Sequence, residues 1–67
     1  MNWNERQMML DELRENIAEF MLKHGKIKRD EVNSNEYCCA RQVELTWRGI
    51  DFTITQVDGM TCLIERT

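Results

Sequence analysis

The residues of this chain with chemistry to offer are three cysteines, one histidine and twelve carboxylates. Cys38, Cys39, Cys62 and His24 are the right types for a zinc site. Cys38 and Cys39, however, are neighbours in a stretch that alternates like a strand, so their side chains leave from opposite faces and do not converge on one ion. No Cys-x-x-Cys pair exists. The expectation is no metal and no cofactor, with Cys39 and Cys62 as small core residues and Cys38 as the outward thiol. An odd cysteine count builds no disulfide framework and reads as reduced thiols in a reducing compartment.

Hydrolytic chemistry needs a nucleophile beside a base, or paired carboxylates in a cleft. The one histidine, His24, falls on the apolar side of a helix near its end, a position for packing or capping rather than proton transfer. There is no Gly-rich phosphate loop and no Gly-x-Ser-x-Gly. The chain reads as a non-enzyme.

Four carboxylates do form a pattern. Asp11, Glu12, Glu15 and Glu19 recur about one helical turn apart, with Met8 and Leu22 at the edges of the row. A row of this kind is either a solvated helix face or a surface for a partner. Carboxylates spaced about 6 Å along a helix imitate the phosphates that a nucleic-acid-binding protein expects.

The elements that position these residues follow from periodicity. Asn2 and Asn4 are both acceptable N-caps, and Leu10, Leu13, Ile17, Phe20 and Met21 recur at helical spacing until Lys23, His24 and Gly25 stop the run. This predicts a helix over about 5–24 that buries that apolar face. Residues 25–36 are polar and read as a loop, anchored by Ile27 and Val32. Strands are expected over about 37–47, 50–56 and 60–66. A two-residue turn at Arg48-Gly49 pairs Trp47 with Ile50, Leu45 with Phe52 and Val43 with Ile54, placing all six on one face. For the second hairpin, a three-residue loop at Val57-Asp58-Gly59 pairs Gln56 with Met60, Ile54 with Cys62 and Phe52 with Ile64, and alternation prefers it to a two-residue turn. Arg41 then lies opposite Gln56, its guanidinium reaching water or a helix carboxylate. Trp3 and Trp47 read as core plugs.

The expected architecture is a single α+β domain over residues 1–67: one N-terminal amphipathic helix packed on a three-stranded antiparallel meander (αβββ). The face away from the helix carries Gln42, Glu44, Thr46, Asp51, Thr53, Thr55, Thr61, Leu63 and Glu65, and no aromatic for base stacking. The outer two strands are free edges, the last guarded only by Glu65 and Arg66. Helix followed by meander also opens several double-stranded-RNA-binding-like domains, but those continue into a second helix and carry basic contact residues.

Nine Lys and Arg against twelve Asp and Glu give a net charge of −3, adverse to nucleic acid and to anionic membranes. No stretch is apolar for long enough to span a bilayer and no signal-peptide order opens the chain, so a cytoplasmic location is expected. In size, charge and economy of fold the chain resembles, in general character, the phage-encoded anti-CRISPR and related anti-defence proteins. The resemblance implies a small interaction protein that binds and blocks a larger partner with a basic surface, such as a nucleic-acid-binding complex. Its expected contact residues are Asp11, Glu12, Glu15 and Glu19 on the helix, and Glu44, Thr53, Thr55 and Leu63 on the open sheet face. A homodimer through a sheet edge or that open face is the accompanying expectation. The alternative is a small nucleic-acid-binding module using Lys26, Lys28, Arg29, Arg41 and Arg48.

Overall fold

Asn2 starts the helix: its Oδ1 accepts the backbone N–H of Glu5 at 2.8 Å, satisfying one of the donors a helix start leaves free. The computed structural model describes residues 2–67, as one helix, α1 (Trp3–His24), and one antiparallel sheet of four strands. The strands are β1 (Lys26–Ser34), β2 (Cys39–Trp47), β3 (Ile50–Val57) and β4 (Met60–Arg66), paired in the order β1-β2-β3-β4. The α+β class and the antiparallel meander are as expected. The strand count is not.

The stretch expected as a loop over 25–36 is mostly β1, an edge strand on β2. Gly25 passes the chain from helix to strand without a loop, in extended conformation, its N–H donating to the Met21 carbonyl at 2.7 Å. β1 escaped recognition because all nine of its residues are exposed, so no hydrophobic alternation is written into it. An irregularity between Ile27 and Arg29 adds a second disguise. It leaves Ile27 opposite Leu45, Asp30 opposite Val43 and Val32 opposite Arg41, so the two apolar residues share a face at odd spacing. β2 starts at Cys39 rather than Tyr37, because Asn35 Oδ1 accepts the N–H groups of Tyr37 and Cys38 at 2.7 and 3.0 Å and turns the chain there. With β1 in place, β2 is an interior strand and not a free edge.

The first hairpin has the derived register, with Trp47 opposite Ile50, Leu45 opposite Phe52 and Val43 opposite Ile54. Arg48 and Gly49 have φ of 53° and 77°, as a two-residue turn matched to strand twist requires. The Arg48 guanidinium lies 4.9 Å over the Trp47 ring. The second hairpin differs. Asp58 and Gly59, with φ of 51° and 82°, also make a two-residue turn, which pairs Val57 with Met60 and Gln56 with Thr61. The register then shifts, leaving Cys62 unpaired, and continues with Thr55 opposite Leu63, Ile54 opposite Ile64 and Phe52 opposite Arg66. One surplus residue had to be absorbed to bring Ile64 to the core face. The strand takes it up as a bulge at Cys62, and the turn stays short.

The core is Ala18, Met21, Val43, Leu45 and Ile54, with Leu22, Trp47, Phe52 and Ile64 packed around it. The helix therefore sits on the sheet by a face centred on Ala18. Of the apolar row expected to be buried only Met21 is; Leu10, Leu13, Ile17 and Phe20 are 49%, 54%, 42% and 50% exposed. Small Ala18 and the side-chain-free Gly25 let the helix backbone approach the sheet closely, and Ile17, about 100° round the helix from Ala18, is carried to the side. Trp47 is half-buried, meeting Phe20 edge-on at 5.9 Å, whereas Trp3 is 72% exposed and plugs nothing. Cys39 and Cys62 are exposed rather than core, and Cys38 is half-buried rather than outward.

Candidate interaction surfaces

The eight residues singled out from sequence fall on two opposite sides of the molecule. Glu44, Thr53, Thr55 and Leu63 share the sheet face away from α1. Cross-strand register sets them in adjacent rows: Arg29, Glu44, Thr53, Glu65 in one, and Glu31, Gln42, Thr55, Leu63 in the next. The following row, Asn33, Ala40, Val57 and Met60, lies at the turn end of the sheet, where Val57 and Met60 also border a groove shared with Asp11, Glu12, Arg14 and Glu15 of α1. Arg29 and Glu31 were invisible as members because β1 was, and they pair with each other through Arg29 Nη2 and Glu31 Oε1. Val57 and Met60 were missed through the turn assignment; a two-residue turn at Asp58-Gly59 was their only signal.

The four helix carboxylates do not act as one row. Glu15 is half-buried: Oε1 accepts the backbone N–H of Thr61 and Oε2 accepts its hydroxyl at 3.1 Å. Thr61, expected on the outer face, is 4% exposed on the helix side, a direct result of the short turn before it. The bond to Glu15 also occupies an edge N–H of β4, so the helix protects the start of that strand from pairing. Asp11 accepts bonds from Gln7 and Arg14 on its own helix at 3.0 and 3.2 Å. Glu12 and Glu19 are exposed.

Among the five cations of the nucleic-acid alternative, three are neutralised by neighbours. Arg41 does not reach the helix; it forms a two-pronged pair with Asp30 of β1 at 2.9 and 2.7 Å. Lys28 Nζ lies 3.3 Å from Asp51 Oδ2, and Arg29 pairs with Glu31. No contiguous basic surface results from them.

These pairs carry a pH dependence. The hydrogen bond from Arg41, aided by its charge, holds the Asp30 carboxyl below the usual carboxylate range. Asp51 is lowered as well, first by the Thr46 hydroxyl donating at 2.5 Å and then by Lys28. A carboxylate depressed in the folded state favours folding above its unfolded value of about 3.9 and loses that contribution as pH falls toward its folded value. The urea midpoint of unfolding is therefore expected to drop on acidification below about pH 4, and the double substitution Asp30→Asn, Asp51→Asn to flatten that drop. An unchanged slope in the double variant would show that these two sites do not carry it.

Among the described residues no group of three or more His, Cys, Asp or Glu side chains is placed to hold a metal ion, and no helix is long and apolar enough to cross a membrane. No family model, curated protein or solved structure matches the chain. The surfaces themselves are thus the basis for a functional reading: a four-stranded face of threonines and carboxylates on one side, and an apolar row along α1 on the other.

Proposed function

We propose that the chain is a small non-enzymatic interaction protein that binds and blocks a larger protein through the sheet face opposite α1. The observation that supports this is the clustering of Glu44, Thr53, Thr55 and Leu63 in adjacent rows of a four-stranded face that no helix or strand among the described residues covers. Threonine hydroxyls on this face supply hydrogen bonds, Glu44 and Glu65 supply charge, and Leu63, 47% exposed, supplies an apolar anchor. The matching partner surface is basic. Within this reading the finer assignment is a phage-type anti-defence inhibitor of a nucleic-acid-binding complex, the kind of protein whose exposed basic surface an acidic chain fits.

The test is capture from host-cell lysate on the tagged chain, at low and high salt, with nuclease treatment. The expected result is one protein retained in stoichiometric amount after nuclease. Retention of nucleic acid alone, lost at high salt, would overturn the proposal and favour the nucleic-acid module.

A further inference from the structure

A row of half-exposed apolar residues runs along α1, and the sheet-face reading does not use it. Leu10, Leu13, Ile17 and Phe20 alternate at spacings of three and four residues, the heptad seam by which one helix packs on another. Two shallow depressions on this side repeat one heptad apart. Met9, Leu10, Glu12, Leu13 and Asn16 border one, and Asn16, Glu19, Phe20, Lys23 and His24 border the other, each including the i, i+3, i+4, i+7 set between which a knob from a facing helix inserts.

We propose that a second copy of this chain fills the seam, the two α1 helices packing antiparallel about a two-fold axis. Three observations select this occupant. The first is how little one copy buries: five apolar residues form its core, so covering the seam would add substantially to the apolar area removed from water. Area is the second. Met9, 56% exposed, and the four seam residues, each about half exposed, leave at most roughly 500 Å² per copy for burial, or ~1,000 Å² for the pair, the lower threshold for a specific interface before the flanking side chains are added.

Self-complementarity is the third. Antiparallel packing sets Leu10 against Phe20 of the second copy and Leu13 against Ile17, a large residue beside a smaller one at each level. It also opposes the two helix dipoles, and it brings Lys23 near Glu5 of the other copy while setting Glu12 near Glu19. A parallel pair would instead place Arg6 against Arg6 in the seam, where the antiparallel pair sets Arg6 against His24. In either copy the sheet lies on the Ala18 side of α1, so it does not obstruct the approach.

Sedimentation equilibrium of the full chain from about 1 to about 200 µM is the test. The weight-average mass is expected to climb from the chain's 8.1 kDa toward twice that value. The variant Leu13→Glu, Ile17→Glu is expected to stay at the single-chain mass with its helical circular dichroism retained. Should it lose its helix, Leu13→Ala with Ile17→Ala is expected to raise the dissociation constant at least tenfold while still folding. In a background without the native cysteines, Leu13→Cys copies mixed with Ile17→Cys copies are expected to cross-link to each other. A single-chain mass at every concentration, a folded glutamate or alanine variant that associates like the parent, or cross-links formed only between like copies would each overturn the antiparallel dimer.

Discussion

Ala18→Glu is expected to abolish folding, while Ile17→Glu, one residue away, is expected to leave it intact. Ala18 is wholly buried at the centre of the helix–sheet contact, between Met21 and the strand residues Val43, Leu45 and Ile54. A carboxylate there has neither room nor a partner, and the penalty of several kcal/mol for an unpaired buried charge is as large as the whole stability of a domain this small. Ile17 is 42% exposed on the side of the helix. Its replacement changes single-chain stability by no more than about 1 kcal/mol, provided unfolding is followed at concentrations too low for association to contribute. Far-ultraviolet circular dichroism with urea titration reads both. The opposite pattern would mean that the helix is turned so that Leu10, Leu13, Ile17 and Phe20 meet the sheet.

Gly25→Ala is the second large effect, and its sign is informative. At φ −75° and ψ 163° alanine is unstrained, and at such a site the substitution normally stabilises by about 0.4–1 kcal/mol through the unfolded chain. Here an added Cβ would lie 2.6 Å from the Met21 carbonyl oxygen and 3.0 Å from Leu45 Cδ1. The first is helix backbone, tied to the Gly25 N–H, and the second belongs to a fully buried side chain, so neither yields easily. The expected outcome is a loss of about 1–3 kcal/mol, the usual cost of overpacking. Stabilisation instead would show that the passage from α1 into β1 is looser than this close approach implies.

How far the sequence discloses this molecule varies by element for physical reasons. The register of β2 and β3 is legible because turn length and alternation agree on it, six apolar residues falling on one face. β4 is legible as a strand, yet its register depends on where one surplus residue is absorbed, and turn and bulge satisfy the same alternation. β1 is illegible by periodicity, since pairing with β2 holds it and burial does not. The helix is plain in extent but not in orientation. Large apolar residues at heptad spacing announce that a face will be covered, without saying by what, and the face that meets the sheet is led by a small residue, Ala18. The candidate site divides similarly. Glu44, Thr53, Thr55 and Leu63 were readable together from alternation. Glu15 belongs with Thr61 instead of the solvated carboxylates, because its partner is an edge N–H 46 residues away, turned to the helix side by the short turn before it.

The claim that the uncovered sheet face binds the partner is tested most directly by comparing two double lysine substitutions, one on each side of the molecule, for affinity to the protein captured. Glu44→Lys with Thr53→Lys changes neighbouring positions of one sheet row, and Glu12→Lys with Glu19→Lys changes the exposed helix carboxylates to the same extent or more. The predicted result is at least a tenfold loss for the sheet variant, equivalent to about 1.4 kcal/mol, and less than threefold for the helix variant, both remaining folded. A sheet variant that binds like the parent, with the loss falling on the helix variant, would contradict the account and place the partner on the acidic side of α1.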